Sequence, residues 1–369
     1  MKFLVFGRAS LLLLLVIVFT IVSAAQKPTS TPKISEEEQV IKVDSRLVIV
    51  PVSVVNPNGD PILGLKAVDF HVSEEGKPQT LDQVTNAEKV PLEIALLVDV
   101  SGSVNPLFEF EKKAAAQFLT TVMKADDRAT IVLIGDKPLP VGMRENASAA
   151  GERLATVTIS GKFTAFYDTV LAASKYLQAN APLKSRKVIV ALTDGGDNWS
   201  ELTRESEKAT YRDVDVNKIT PEMRNQLAAN TDRAHKKAQS AILRGLQNAD
   251  TVFYSINPAG ASYKLNRISQ RAQTGMQAFA DETGGTAFTP KFQPLDTKDT
   301  LQNDSNGRKN EAVLGQIFRE LAAELQAQYL LQYYSETEFP NNKYVTLDVG
   351  LENPGGNRIR ARRGYYVKK

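Results

Sequence analysis

The chain contains no cysteine and only two histidines, His71 and His235. The first absence excludes disulfides, thiol catalysis, iron–sulfur clusters and cysteine-ligated zinc. The second leaves little for a Ser-His-Asp triad or a two-histidine metal site, and neither histidine stands in a catalytic motif. His71 reads as a half-exposed strand residue and His235 as a surface position on a helix. An excess of one charge is lacking as well: 45 Lys and Arg face 42 Asp and Glu, a formal net charge of +3. Leaving out Lys2 and Arg8 brings it closer still to neutrality, so the concentrated basic surface that nucleic acid requires is missing. What is present is an ordinary globular composition, 42% apolar and 24% charged over 369 residues, with room for about two domains and against a polytopic membrane protein.

Lys2 and Arg8, the apolar run from Leu11 to Val22 and the small residues Ser23-Ala24-Ala25 have the layout of an export signal, residues 1–25. The expectation is an exported protein, periplasmic, cell-surface or secreted. An uncleaved anchor is the alternative, because Phe3 to Val22 only just reaches the roughly 20 residues needed to span a bilayer. No cysteine follows the run, so a lipid anchor there is excluded. Residues 26–39, rich in Pro, Thr, Ser and Glu, read as a linker.

The ordered part shows two textures. Residues 40–88 carry β-branched and alternating runs, Val43 to Val54 and Val68 to Val72, broken by Asn56-Pro57-Asn58-Gly59-Asp60 and Glu75-Gly76-Lys77-Pro78. Three strands are too few for a sandwich, and the missing ones are expected from residues 329–369, where Tyr329 to Tyr334, Tyr344 to Leu351 and Ile359 to Val367 also read as strands. The two segments should pack as one antiparallel unit. Arg358, Arg360, Arg362 and Arg363 read as the solvated face of the last strand. Between these ends, residues 91–328 alternate short apolar strands with helices: Leu92 to Val98, Phe108 to Val122, Ala129 to Ile134, Ala165 to Leu177, Val188 to Leu192, Ala234 to Leu246, Thr251 to Ile256, Met276 to Glu282 and Ala312 to Gln326. That pattern predicts a doubly wound, mostly parallel α/β sheet covered on both faces, interrupted by polar surface insertions at 201–233 and 291–310.

In such sheets ligands gather at the carboxyl ends of the strands. There stand Asp99-Val100-Ser101-Gly102-Ser103 and Thr193-Asp194-Gly195-Gly196-Asp197-Asn198, with Gly161-Lys162-Phe163-Thr164 leading into a helix between them. Alternation in an extended loop aims Asp99, Ser101 and Ser103 to one side, and Thr164 and Asp194 add a hydroxyl and a second carboxylate. Two carboxylates this close repel unless a cation separates them. Donors that are all oxygen select a hard ion, Mg²⁺, Mn²⁺ or Ca²⁺. With three neutral hydroxyls among the five donors, the ion would keep charge for a carboxylate brought by a partner. Asp197 and Asn198 read either as a polar turn or as supports of the site; Asp168 reads as a helix-start residue or a site residue, and Tyr167 as packing.

The three motifs, in this order, resemble the metal-ion-dependent adhesion site of von Willebrand factor type A domains, over about Pro91 to Pro290. The flanking segments, including Tyr329-Leu330-Leu331-Gln332-Tyr333-Tyr334 and Arg362-Arg363-Gly364-Tyr365-Tyr366, are similar to the exported, von Willebrand factor A-related proteins of acidobacteria. The resemblance implies a six-stranded sheet of Rossmann-like winding, and Mg²⁺ held directly or through water by Asp99, Ser101, Ser103, Thr164 and Asp194. It also implies a protein ligand whose acidic side chain completes the octahedron. The expected function is metal-dependent adhesion or protein binding, not catalysis. The alternatives are an assembly protein with a vestigial site and a metal-dependent hydrolase using Asp99 and Asp194, which has fewer carboxylates than two-metal chemistry draws on.

Overall fold

The computed structural model describes residues 45–101, 108–159, 161, 163–258, 266–295 and 297–368. The expected export signal, the linker and Ser103 lie outside the described residues. The first four strands are β1 (Arg46–Val55), β2 (Phe70–Glu74), β3 (Lys77–Gln79) and β4 (Gln83–Asn86). The α/β part then runs through β5 (Leu92–Asp99), α1 (Phe108–Val122), β6 (Arg128–Ile134), β7 (Pro138–Glu145), α2 (Ala147–Ala155), α3 (Phe166–Asn180) and β8 (Arg186–Leu192). It continues as α4 (Glu201–Tyr211), α5 (Pro221–Asn248), β9 (Thr251–Ile256), α6 (Arg267–Thr283), β10 (Ala287–Phe288) and α7 (Thr300–Gln326). Strands β11 (Tyr329–Ser335), β12 (Tyr344–Leu351), β13 (Arg358–Ala361) and β14 (Gly364–Tyr366) close the chain.

The α/β part is built on a six-stranded sheet in the order β10-β9-β8-β5-β6-β7, parallel throughout except for the β6–β7 pair. Strand β5 is buried along nearly its whole length because helices cover both of its faces. Alternate side chains serve opposite layers. Ile94, Leu96 and Val98 pack with Phe118, Leu119, Phe318, Leu321 and Leu325 of α1 and α7. Ala95 and Leu97 pack with Val170, Ile242, Leu246, Met276 and Phe279 of α3, α5 and α6. From β5 the chain builds toward β6 and β7 on one side, then restarts at β8 on the other. The carboxyl ends of β5 and β8 therefore flank the point where winding reverses, the place where such sheets open a crevice.

The two terminal segments form a smaller antiparallel unit, as expected from the sequence. Its sheets have the orders β13-β1-β11-β4 and β14-β12-β2-β3 and share one core of Val48, Val50, Val52, Phe70, Tyr329, Leu331, Tyr333, Val345 and Tyr365, among others. Within that core the Glu74 carboxylate accepts hydrogen bonds from Tyr333 at 3.0 Å, Ser335 at 2.6 Å and Tyr365 at 2.6 Å, which compensate its burial.

Two expectations need correction, and two helices begin earlier than their apolar period suggests. The 201–233 stretch is largely helical: α4 occupies its start, and α5 begins at Pro221, where Thr220 accepts the Met223 N–H, 3.2 Å away. Likewise α7 begins at Thr300, inside the stretch read as an insertion, with Asp299 accepting the amides of Leu301 and Gln302. His235 is buried rather than on the surface, at 1% exposure, because α4 folds over it; its Nε2 lies 2.8 Å from Glu207. The C-terminal arginines are not simply solvated. Arg360 donates to Thr286 and faces Glu324 at 3.4 Å, while Arg362 donates to Asp250 and to the Ile49 carbonyl, each at 2.8 Å. Their strand docks against the α/β part, which alternation alone does not reveal.

Candidate metal centre

The first loop continues β5. Val100 donates its N–H to the Ile134 carbonyl at 3.2 Å, and Ser101 bridges in parallel with Gly161, whose N–H reaches the Val100 carbonyl at 3.1 Å. This draws Gly161 against the end of β5, and Ala165 follows by donating its N–H to the Gly135 carbonyl at 2.6 Å. The same loop is bound to the one after β8. Thr164 donates its N–H to the Asn198 side chain at 2.8 Å, and its carbonyl accepts from Asn198 at 3.0 Å and Trp199 at 3.2 Å. Three stretches distant in sequence are thereby laced into one wall of a crevice.

Within it, Asp99 Oδ1 accepts the Ser101 N–H at 2.9 Å, and Oδ2 accepts the Thr193 hydroxyl at 2.6 Å. Thr193 Oγ1 in turn accepts the Gly195 N–H at 3.0 Å, so one hydroxyl fixes both the Asp99 carboxylate and the turn carrying Asp194. Asp194 is exposed, and its Oδ1 accepts the Gly196 N–H at 2.7 Å. The turn needs glycine at 195: its φ is +75°, and a Cβ there would come within 2.7 Å of the Met276 side chain. Burial pushes the Asp99 carboxyl up, the hydrogen bonds from Thr193 and Ser101 oppose it, and the charge of Asp194 pushes it further. Asp99 and Asp194 repel each other, and with the hydroxyl-bearing Ser101 and Thr164 on the adjoining stretches these loops offer oxygen donors alone, the chemistry that suits a hard divalent cation. Among the described residues no three acidic or histidine side chains converge as a metal cage, so a cation here would depend on hydroxyls as well as on the two carboxylates.

Of the five expected ligands, Asp99, Ser101, Thr164 and Asp194 lie on the three stretches tied together at the ends of β5 and β8; Ser103 lies outside the described residues. Asn198 holds the loop, as above. Asp197 is buried and accepts the Tyr167 N–H at 2.9 Å, together with the Ser200 hydroxyl. Asp168 accepts the Glu201 N–H at 2.7 Å, joining the start of α3 to the start of α4. Tyr167 is buried and accepts from Gln239 at 3.0 Å. Sequence reasoning passed over Thr193 as a clasp. It also passed over Glu111, a carboxyl buried on the inner face of α1 whose pKa is raised to about 7 by burial and then by the charge of Asp99. Glu111 recurs three residues after Phe108 and three before Ala114, on the apolar face of its helix, and that placement was a readable signal.

Fold and site together define a doubly wound α/β domain with laced, oxygen-bearing loops at the carboxyl edge of its sheet, joined to an antiparallel β unit. No protein-family model matches the chain, and no curated protein matches it either. Solved structures do. A von Willebrand factor type A protein from Catenulispora acidiphila is 12% identical over 88% of this chain and 74% of its own, with a TM-score of 0.40. An aerotolerance-related membrane protein from Bacteroides fragilis is 14% identical over 60% of this chain and 99% of its own, with a TM-score of 0.34. Proximal thread matrix protein 1 from the mussel byssus is 13% identical over 69% of this chain, which spans 51% of that protein, with a TM-score of 0.40. A further structure of the mussel protein is described as having a zinc-occupied MIDAS motif.

Proposed function

We propose that the chain is an exported binding protein of the von Willebrand factor A type, related to the acidobacterial members its sequence resembles. In this reading it holds one divalent cation, Mg²⁺ before Mn²⁺ or Ca²⁺, and captures an acidic side chain of a partner protein. The observation that carries it is the lacing of three loops around Asp99 and Asp194, with Thr193 clasping one carboxylate and the turn that bears the other. The cation would be held by Asp99, Ser101, Ser103, Thr164 and Asp194, and when bound it supplies positive charge at the mouth of the crevice. The chain's own part is to preorganise the oxygens and to leave Asp194 open to solvent. A binding role rather than catalysis is supported by the small number of carboxylates. Calorimetry of the protein from residue 26 onward tests it: Mg²⁺ or Mn²⁺ should give a binding heat that Asp99→Ala abolishes. An identical titration curve for the variant would overturn the site.

A further inference from the structure

An aromatic pair stands beside the crevice, and the proposed metal does not use it. Phe163, next to Thr164 in sequence, stacks on Trp199 with ring centroids 4.1 Å apart and planes inclined by 23°. Both rings are fastened to the loop cluster, since the Trp199 N–H bonds the Thr164 carbonyl at 3.2 Å. Phe163 is nevertheless 42% exposed, so part of its ring remains open to solvent. The Arg204 guanidinium lies 5.7 Å from the Trp199 ring centroid, and its Nε is buried without a hydrogen-bond partner although Nη2 reaches Glu201 at 3.2 Å. An exposed ring with a stacked partner thus stands on the loops that carry Thr164 and Asp194, while Arg204 is ion-paired with Glu201 at 3.2 Å.

We propose that Phe163, backed by Trp199, is a specificity-determining residue. It selects protein segments in which the captured carboxylate is followed at once by an aromatic or large apolar side chain. This rests on the metal-dependent capture proposed above. The occupant follows from complementarity: the proposed cation takes the acidic group, and the exposed face of Phe163 offers the apolar neighbour an offset-stacking partner. Trp199 supplies rigidity, because its N–H is tied to the Thr164 carbonyl and its ring stacks on Phe163.

The test uses the whole protein and immobilised synthetic peptides carrying Glu-Phe, Glu-Gly or Gln-Phe in an otherwise Gly-Ser sequence. In Mg²⁺ the Glu-Phe peptide should be held about five-fold more tightly than Glu-Gly, the scale of one aromatic pair, and Gln-Phe should not be retained. Phe163→Ala should bring Glu-Phe down to the level of Glu-Gly while the Mg²⁺ heat stays unchanged, and Phe163→Tyr should preserve the preference. As the single tryptophan, Trp199 should also shift its emission on Glu-Phe but not on Glu-Gly. Equal retention of the two acidic peptides by the unaltered protein, or a preference that survives Phe163→Ala, overturns the inference while leaving the metal reading standing. Absence of any Mg²⁺ heat in the unaltered protein overturns both.

Discussion

At the scale of single residues, a third carboxyl, Glu111, lies within electrostatic reach of Asp99. Glu111 has a pKa of about 7 against an ordinary value of 4.5, from burial first and the charge of Asp99 second. A carboxyl whose pKa is higher in the folded than in the unfolded chain contributes stability that is complete below the unfolded value and lost as pH rises through the folded one. In the metal-free protein, stability should therefore fall between about pH 4.5 and about pH 7, by up to about 3 kcal/mol, and level off above. Glu111→Gln should flatten that slope, so urea midpoints in EDTA should differ little from the unaltered protein at pH 4.5 and clearly favour the variant at pH 8. Parallel pH curves for the two proteins would refute the assignment. That Asp99, Ser101 and Asp194 stand at or just past strand ends and Thr164 just before a helix was legible, because strand ends and helix starts announce themselves locally. The roles of Thr193 and Glu111 were not, because each depends on a partner that only the folded sheet brings near.

At the scale of elements, α4 is the piece most dependent on a few polar contacts, since Thr203 is its single fully buried position. Asp197 joins it to α3, accepting the Tyr167 N–H at 2.9 Å and, on the α4 side, the Ser200 hydroxyl and, at 3.4 Å, that of Thr203. Replacing Asp197 by Ala leaves buried donors without an acceptor and should cost about 2–4 kcal/mol in urea unfolding. Amides of α4 should also exchange faster than those of α5, which keeps its own packing through Ala238, Ile242 and Leu246. If α4 stays as protected as before, the linkage is incidental. The same polarity explains why the sequence showed α5 and α7 only in part. Their amino-terminal halves carry few apolar residues and no period to read, and the caps at Thr220 and Asp299 were the available signs. Strand β7 was missed because Pro138 and Pro140 argue against a central strand; it is an edge strand, where proline is tolerated. By contrast β5 and β9, continuous apolar runs buried on both faces, were visible almost to the residue.

At the scale of the whole molecule, the β unit is assembled from chain segments separated by the entire α/β part, and its sheet order shows how strictly each needs the other. In the order β13-β1-β11-β4, strand β11 stands between β1 and β4; in β14-β12-β2-β3, only the β2–β3 pair consists of early strands alone. Cutting the chain after residue 328 would leave β1 and β4 with no neighbour in their sheet, and would expose the apolar face of Val48, Val50 and Val52. An isolated hairpin such as β2–β3 is marginal in water. The six-stranded sheet, however, would keep every strand, and α7 would keep Leu314, Phe318, Leu321 and Leu325 in its core. It would lose the Arg360 and Arg362 contacts from β13 and its end, leaving Glu324 buried without its cation. Limited trypsin digestion of a chain ending at 328 should therefore cleave within residues 45–86 at a rate near that of an unfolded segment, while residues beyond 90 retain a cooperative thermal transition at a lower temperature. Protection of the early strands in that truncated protein would mean that they fold on the α/β part alone, and that the pairing of the two ends is not what stabilises them.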